Sequence, residues 1–69
     1  MQIIARNVLR GTGNKIVQGA VNSEVTLELA GGQEITAVIT KASVERLKLA
    51  QGKTAYAVIK ASDVMIGVD

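Results

Sequence analysis

Cysteine, histidine, proline, tryptophan and phenylalanine are all absent from this 69-residue chain, and Tyr56 is its only aromatic residue. Without Cys or His there can be no disulfide staple, no thiolate nucleophile, no imidazole acid or base and no ordinary zinc site. The six carboxylates show no spacing that would bring two of them together as a catalytic pair, so an enzyme is not expected. One Tyr and a net charge of +2, with a pI near 9.3, also supply neither the stacking platforms nor the basic groove of a single-stranded nucleic-acid binder. No apolar run approaches the roughly 20 residues that span a bilayer, and the first residues lack the apolar core of a signal peptide. The expected setting is cytoplasmic, with no membrane and no nucleic acid as partner.

What remains is a chain that is 48% apolar and short enough to form one domain, residues 1–69. Ordering each residue costs roughly 1.5 kcal/mol, on the order of 100 kcal/mol for the whole chain. A domain of this size buries only about 60% of its unfolded surface and usually needs a staple. With disulfides and Cys/His metal sites excluded, association with further copies is the remaining way to bury so much apolar surface. A homo-oligomer is expected.

The apolar pattern is mostly that of strands. Met1–Arg10 alternates imperfectly, with Ile3, Ala5, Asn7 and Leu9 on one face and Ile4, Arg6, Val8 and Arg10 on the other. Apolar residues on both faces suggest cover on both sides, the second from another subunit, with Arg6 then on a strand between subunits; a plain solvated Arg is the competing description of that residue. Gly11-Thr12-Gly13-Asn14 reads as a turn or bulge, and Lys15–Gln18 resumes an extended path that Gly19 breaks. Ala20–Leu29 alternates cleanly, with Val21, Ser23, Val25, Leu27 and Leu29 facing inward. Gly31-Gly32 suits a two-residue type I′ or II′ hairpin, and Gln33–Thr40 returns with Ile35, Ala37 and Ile39 inward. Thr40 can N-cap a short helix, Lys41–Leu47, whose Val44 and Leu47 share a face. Two further extended runs, Thr54–Ile59 and Val64–Val68, close the chain. This order, strand, strand, strand, short helix, strand, strand, predicts an all-β fold with one short helix: an OB-like five-stranded antiparallel barrel, oligomeric.

Between the last two runs lies Lys60-Ala61-Ser62-Asp63. An ammonium, backbone N–H groups and a hydroxyl within one turn of chain are what a fully ionised oxyanion needs. A solvated surface turn is the competing description of the same residues. Asp63 there is better suited to orienting Lys60 or capping an amide than to acting as a base.

Several segments together resemble a known family. They are Ile4-Ala5-Arg6-Asn7, Gly19-Ala20-Val21-Asn22-Ser23-Glu24-Val25, Ala30-Gly31-Gly32, Ile35–Ile39, Ser43-Val44-Glu45-Arg46-Leu47 and Ala57–Met65. They are similar to the molbindins, small cytoplasmic Mop proteins whose TOBE-like domain also ends molybdate-responsive regulators and transporter ATPases. The resemblance implies an OB-like barrel assembled as a homo-hexamer, a trimer of dimers, that stores or buffers molybdate or tungstate at subunit interfaces. It implies Arg6 from one subunit and Lys60, Ala61 and Ser62 from another as oxyanion-binding residues. Backbone amides near Ala20, Val21 and Asn22 are further candidates, with plain strand geometry as their alternative role. No catalytic residue and no directly ligated metal are implied.

Two positions depart from the family pattern. Ile4 stands where the family usually has Ser, replacing a hydroxyl donor by an aliphatic side chain, and Gly13 stands where it tends to have a β-branched residue. A structural oligomerisation module without an anion site is therefore the chief rival function, with an OB-type nucleic-acid binder behind it.

Overall fold

Alternation is sharpest around Ser23–Leu27, and the structure, a computed structural model describing residues 4–69, builds an inner strand there. Four antiparallel strands, β1 (Asn7–Gln18), β2 (Asn22–Leu29), β3 (Glu34–Thr40) and β4 (Thr54–Ile59), lie in the order β3-β2-β1-β4 in one curled sheet. One short helix, α1 (Lys41–Leu47), lies between β3 and β4. Ser23, Val25 and Leu27 of β2 are buried on the inner face, and Val44 of α1 completes the core. Ile16, Ile35, Ile39, Leu49, Ala55 and Ala57 pack around it, partly buried. The alternation expected of β2 thus holds from Ser23 to Leu27, since every second side chain points to one face; β4 alternates too, with Ala55, Ala57 and Ile59 half-buried and Tyr56 and Val58 exposed.

Local capping fixes the helix. The Thr40 hydroxyl accepts from the Ser43 N–H at 3.0 Å and donates to Ser43 Oγ at 2.8 Å, as an N-cap should. At the other end Lys48 takes the left-handed conformation, φ 55°, and the Lys53 ammonium donates to the Leu47 and Lys48 carbonyls at 2.7 and 3.1 Å. Those carbonyls have no partner inside the helix, and a cation suits the negative end of its dipole. Leu47 does not share the buried face of Val44. It is 57% exposed, and Leu49, after the left-handed residue turns the chain back, packs on the core instead.

Gly11–Asn14 does not break the first strand. β1 runs through it, with a register shift against β2 between Gly13 and Lys15 that makes Asn14 a bulge. The reason for glycine at 13 lies in the α1–β4 loop. Gly13 N–H donates to the Lys53 carbonyl and Gly52 N–H to the Gly13 carbonyl, both at 2.8 Å. A Cβ on Gly13 would run into the Ala50 carbonyl oxygen. Backbone approaches backbone here as closely as in a sheet, which is the use of a glycine in a strand.

Three other expectations are corrected. Ala20 and Val21 are not strand but the two-residue loop of the β1–β2 hairpin, closed by Gly19 N–H donating to the Asn22 carbonyl at 2.8 Å. The β2–β3 loop has three residues, Ala30–Gly32, because Leu29 N–H donates to the Gln33 carbonyl at 2.7 Å. Gly31 and Gly32 both have positive φ there, 92° and 89°, a conformation other residues adopt only under strain. Finally, there is no fifth strand in the described chain. After β4 a single 3₁₀ turn, Ala61–Asp63, leads into Val64–Val68, which pairs with no described residue, and Met65 and Ile66 are 92% and 87% exposed. A strand is defined by its neighbour's hydrogen bonds, which composition alone does not provide. The first strand likewise begins at Asn7; Ile4–Arg6 lie outside it, and the part of that expectation on residues 1–3 lies outside the described residues.

The chain leaves much of its apolar side-chain surface bare. Its accessible surface is 5595 Å², against roughly 4,100 Å² for a folded monomer of its 7.2 kDa.

Candidate functional site

Two chain ends meet at one end of the sheet. The β1–β4 ladder stops at the pair Asn7↔Ile59, so Arg6 and Lys60 leave the sheet side by side. Beyond them the 3₁₀ turn folds Ala61 and Ser62 back. An open cleft of 620 Å³ results, lined by Ile4, Ala5, Arg6, Lys60, Ala61 and Ser62. Four of the seven residues expected to bind an oxyanion are therefore in one cleft. The resemblance divided them between subunits; within one chain Arg6 and the Lys60 turn line the same cleft.

The lining is chemically one-sided. Arg6 and Lys60 carry positive charge, Ser62 a hydroxyl, and no carboxylate is among the six. The turn's own hydrogen bonds use the N–H of Asp63, donated to the Lys60 carbonyl at 2.9 Å, and of Val64, donated to the Ala61 carbonyl at 3.3 Å. The N–H groups of Ala61 and Ser62 precede those in the turn and fall outside this pattern, as at the start of any helix. Asp63 lies in the turn but does not line the cleft. Such a set can donate hydrogen bonds and offset negative charge; it offers no proton acceptor of the kind a general base provides.

Ala20, Val21 and Asn22 are elsewhere. They sit at the far end of β1, whose 12 residues are separated by steps of about 3.3 Å and so span about 36 Å from first to last. Their loop has its carbonyls engaged, with Val21 accepting from Lys41 N–H and Asn22 from Gly19 N–H, each at 2.8 Å. Within one chain these residues cannot reach an anion held by Arg6 and Lys60. Ala5, which also lines the cleft, was assigned by alternation to the face opposite Ile4 and Arg6. Period-two reasoning fails there because residues 4–6 precede the strand. Among the described residues no group of three or more Asp or Glu could hold a metal ion, and no helix is long and apolar enough to cross a membrane.

The TOBE domain pattern matches residues 4–66. The chain belongs to the TOBE domain family. This TOBE domain is 44% identical over 69 residues to a probable molybdenum-pterin-binding protein of Haemophilus influenzae, an alignment covering 100% of both chains. Among solved structures it is similar to MopII from Clostridium pasteurianum in an apo form, with a TM-score of 0.93 and 45% identity, covering 97% of this chain and 100% of that one. It is also similar to the cytoplasmic molybdate-binding protein ModG with molybdate bound, with a TM-score of 0.95 and 54% identity, covering 100% of this chain and 49% of ModG.

Proposed function

We propose that the protein binds molybdate as the intact tetrahedral oxyanion and stores or buffers it in the cytoplasm, without catalysis, with tungstate accepted by the same donors. The observation that carries this is the carboxylate-free cleft of Arg6, Lys60, Ala61 and Ser62, in a chain that aligns along its length with relatives named for molybdenum binding. A tetrahedral dianion only accepts hydrogen bonds at neutral pH. Two cations offset its charge, and charge-assisted bonds are about twice as strong as neutral ones. Arg6 and Lys60 supply the charge, and the Ala61 and Ser62 amides with the Ser62 hydroxyl supply direction.

Self-association as a homo-hexamer, a trimer of dimers, belongs to the same proposal. Its support is the surplus surface, about a third above that of a monomer of this mass, together with the bare run Val64–Val68. Beside a second copy that run gains a ladder and completes a five-stranded OB-like barrel. Ala20, Val21 and Asn22 then act from a neighbouring copy, the only arrangement in which they share a site with Arg6. Neither nucleic acid nor membrane is a proposed partner.

Calorimetric titration with molybdate, with sulfate as control, is the test. Saturable molybdate binding is expected, and Lys60→Ala should weaken it roughly ten- to hundred-fold, the worth of one hydrogen bond to a charged group. One observation favours a second reading, a structural module that has lost its site: the aliphatic Ile4 lines the cleft. A well-formed oligomer that takes up neither anion would decide for that module.

A further inference from the structure

Ile4 is the one large apolar side chain in the cleft. It is fully exposed, at 105% of its reference surface, so no packing among the described residues explains it. Arg6, Lys60, Ala61 and Ser62 bring donors to the cleft, and Ile4 brings none. In the proposed assembly, where a neighbouring copy covers the open cleft, an anion held there would meet charged and polar donors at some of its oxygens and the Ile4 hydrocarbon at another.

We infer that Ile4 is a specificity-determining residue, a wall that favours large tetrahedral oxyanions over small ones; this rests on the oxyanion-binding function proposed above. An oxygen facing Ile4 gives up water and receives no hydrogen bond in return, which costs free energy for any anion. The cost is not equal for all of them. The electrostatic free energy of hydration varies inversely with ionic radius, as in the Born treatment of buried charge. Sulfate, smaller than molybdate at the same charge, holds its water more tightly and loses more at an apolar wall. A hydroxyl at position 4 would replace the lost water for both anions and help sulfate more. The aliphatic wall therefore lowers affinity for both and widens the gap between them. Molybdate and tungstate, nearly equal in size, are treated alike.

Valine and threonine have almost the same shape and differ by one hydroxyl, so Ile4→Val and Ile4→Thr separate the wall's chemistry from its bulk. Molybdate and sulfate are titrated calorimetrically into the wild type and both variants, with the oligomeric state of each checked by native mass spectrometry. Ile4→Val should keep the wild-type ratio of the sulfate to the molybdate dissociation constant. Ile4→Thr should bind both anions more tightly and narrow that ratio roughly five-fold, a fraction of a charged hydrogen bond's worth. Equal ratios in the two variants, or a wider one with threonine, would overturn the role of Ile4 while leaving the oxyanion function intact. A wild type that binds neither anion would overturn that function and this inference together.

Discussion

Under α1 the sheet is closed over Val25, Leu27 and Val44, whereas at the other end of β1 the segments Ile4–Arg6 and Val64–Val68 stand almost free of the other described residues. Both regions are rich in aliphatic residues. They differ in what surrounds them: the first has a capped helix, a loop docked on Gly13 and strands on both sides of β2, while the second has one strand edge and no cover. A chain of 69 residues can finish one small core with its own elements, and here it finishes the one at the helix end. The open end is where Arg6 and Lys60 meet. Under the proposed assembly, oligomerisation and anion binding use the same unfinished surface.

The contrast can be broken by mutation, and the largest effect is expected in the closed region. Leu27→Ala should cost about 3 kcal/mol, since it removes a buried side chain and leaves a cavity the rigid sheet cannot fill; chemical denaturation measures it. Ile66→Ser at the open end should leave the fold of each chain intact and shift the oligomer toward smaller species in size-exclusion chromatography with light scattering. An equal loss of chain stability from both changes would erase the distinction between the regions. Thr40→Ala, which deletes the hydroxyl bonded to Ser43 N–H, should cost about 1 kcal/mol in the same denaturation measurement. The smallest change sharpens the picture from inside the core. The Ser23 hydroxyl is 2% exposed and has no hydrogen-bond partner among the described residues. Leaving a buried hydroxyl unpaired costs about 1–3 kcal/mol, so Ser23→Ala should be neutral or slightly stabilising where most core substitutions destabilise.

What the sequence made legible follows the same division. β2, β3, β4 and the helix with its Thr40 cap could be read because alternation and capping are local signals. The extent of β1 could not. Gly11–Asn14 reads equally as a turn or as the bulge it proves to be, and only the approach of Ala50 and Lys53 shows why Gly13 belongs in a strand. Val64–Val68 has strand composition and no strand partner among the described residues, and composition cannot say where a partner comes from. For the cleft, Lys60-Ala61-Ser62 looks like an ordinary solvated turn by itself, and family resemblance was needed to join it to Arg6 across more than fifty residues. Folding then brings the two together in a simple way, by ending the β1–β4 ladder one step before both.

Native mass spectrometry of the protein titrated with molybdate tests the central claim most directly, because it reads assembly and binding in one spectrum. The predicted result is a six-copy assembly that gains mass in whole molybdate units and shows no such gain with sulfate at the same concentration. A chain that remains monomeric, or a six-copy assembly whose mass does not change when molybdate is added, would contradict the proposal that its unfinished end is completed by further copies to hold an oxyanion.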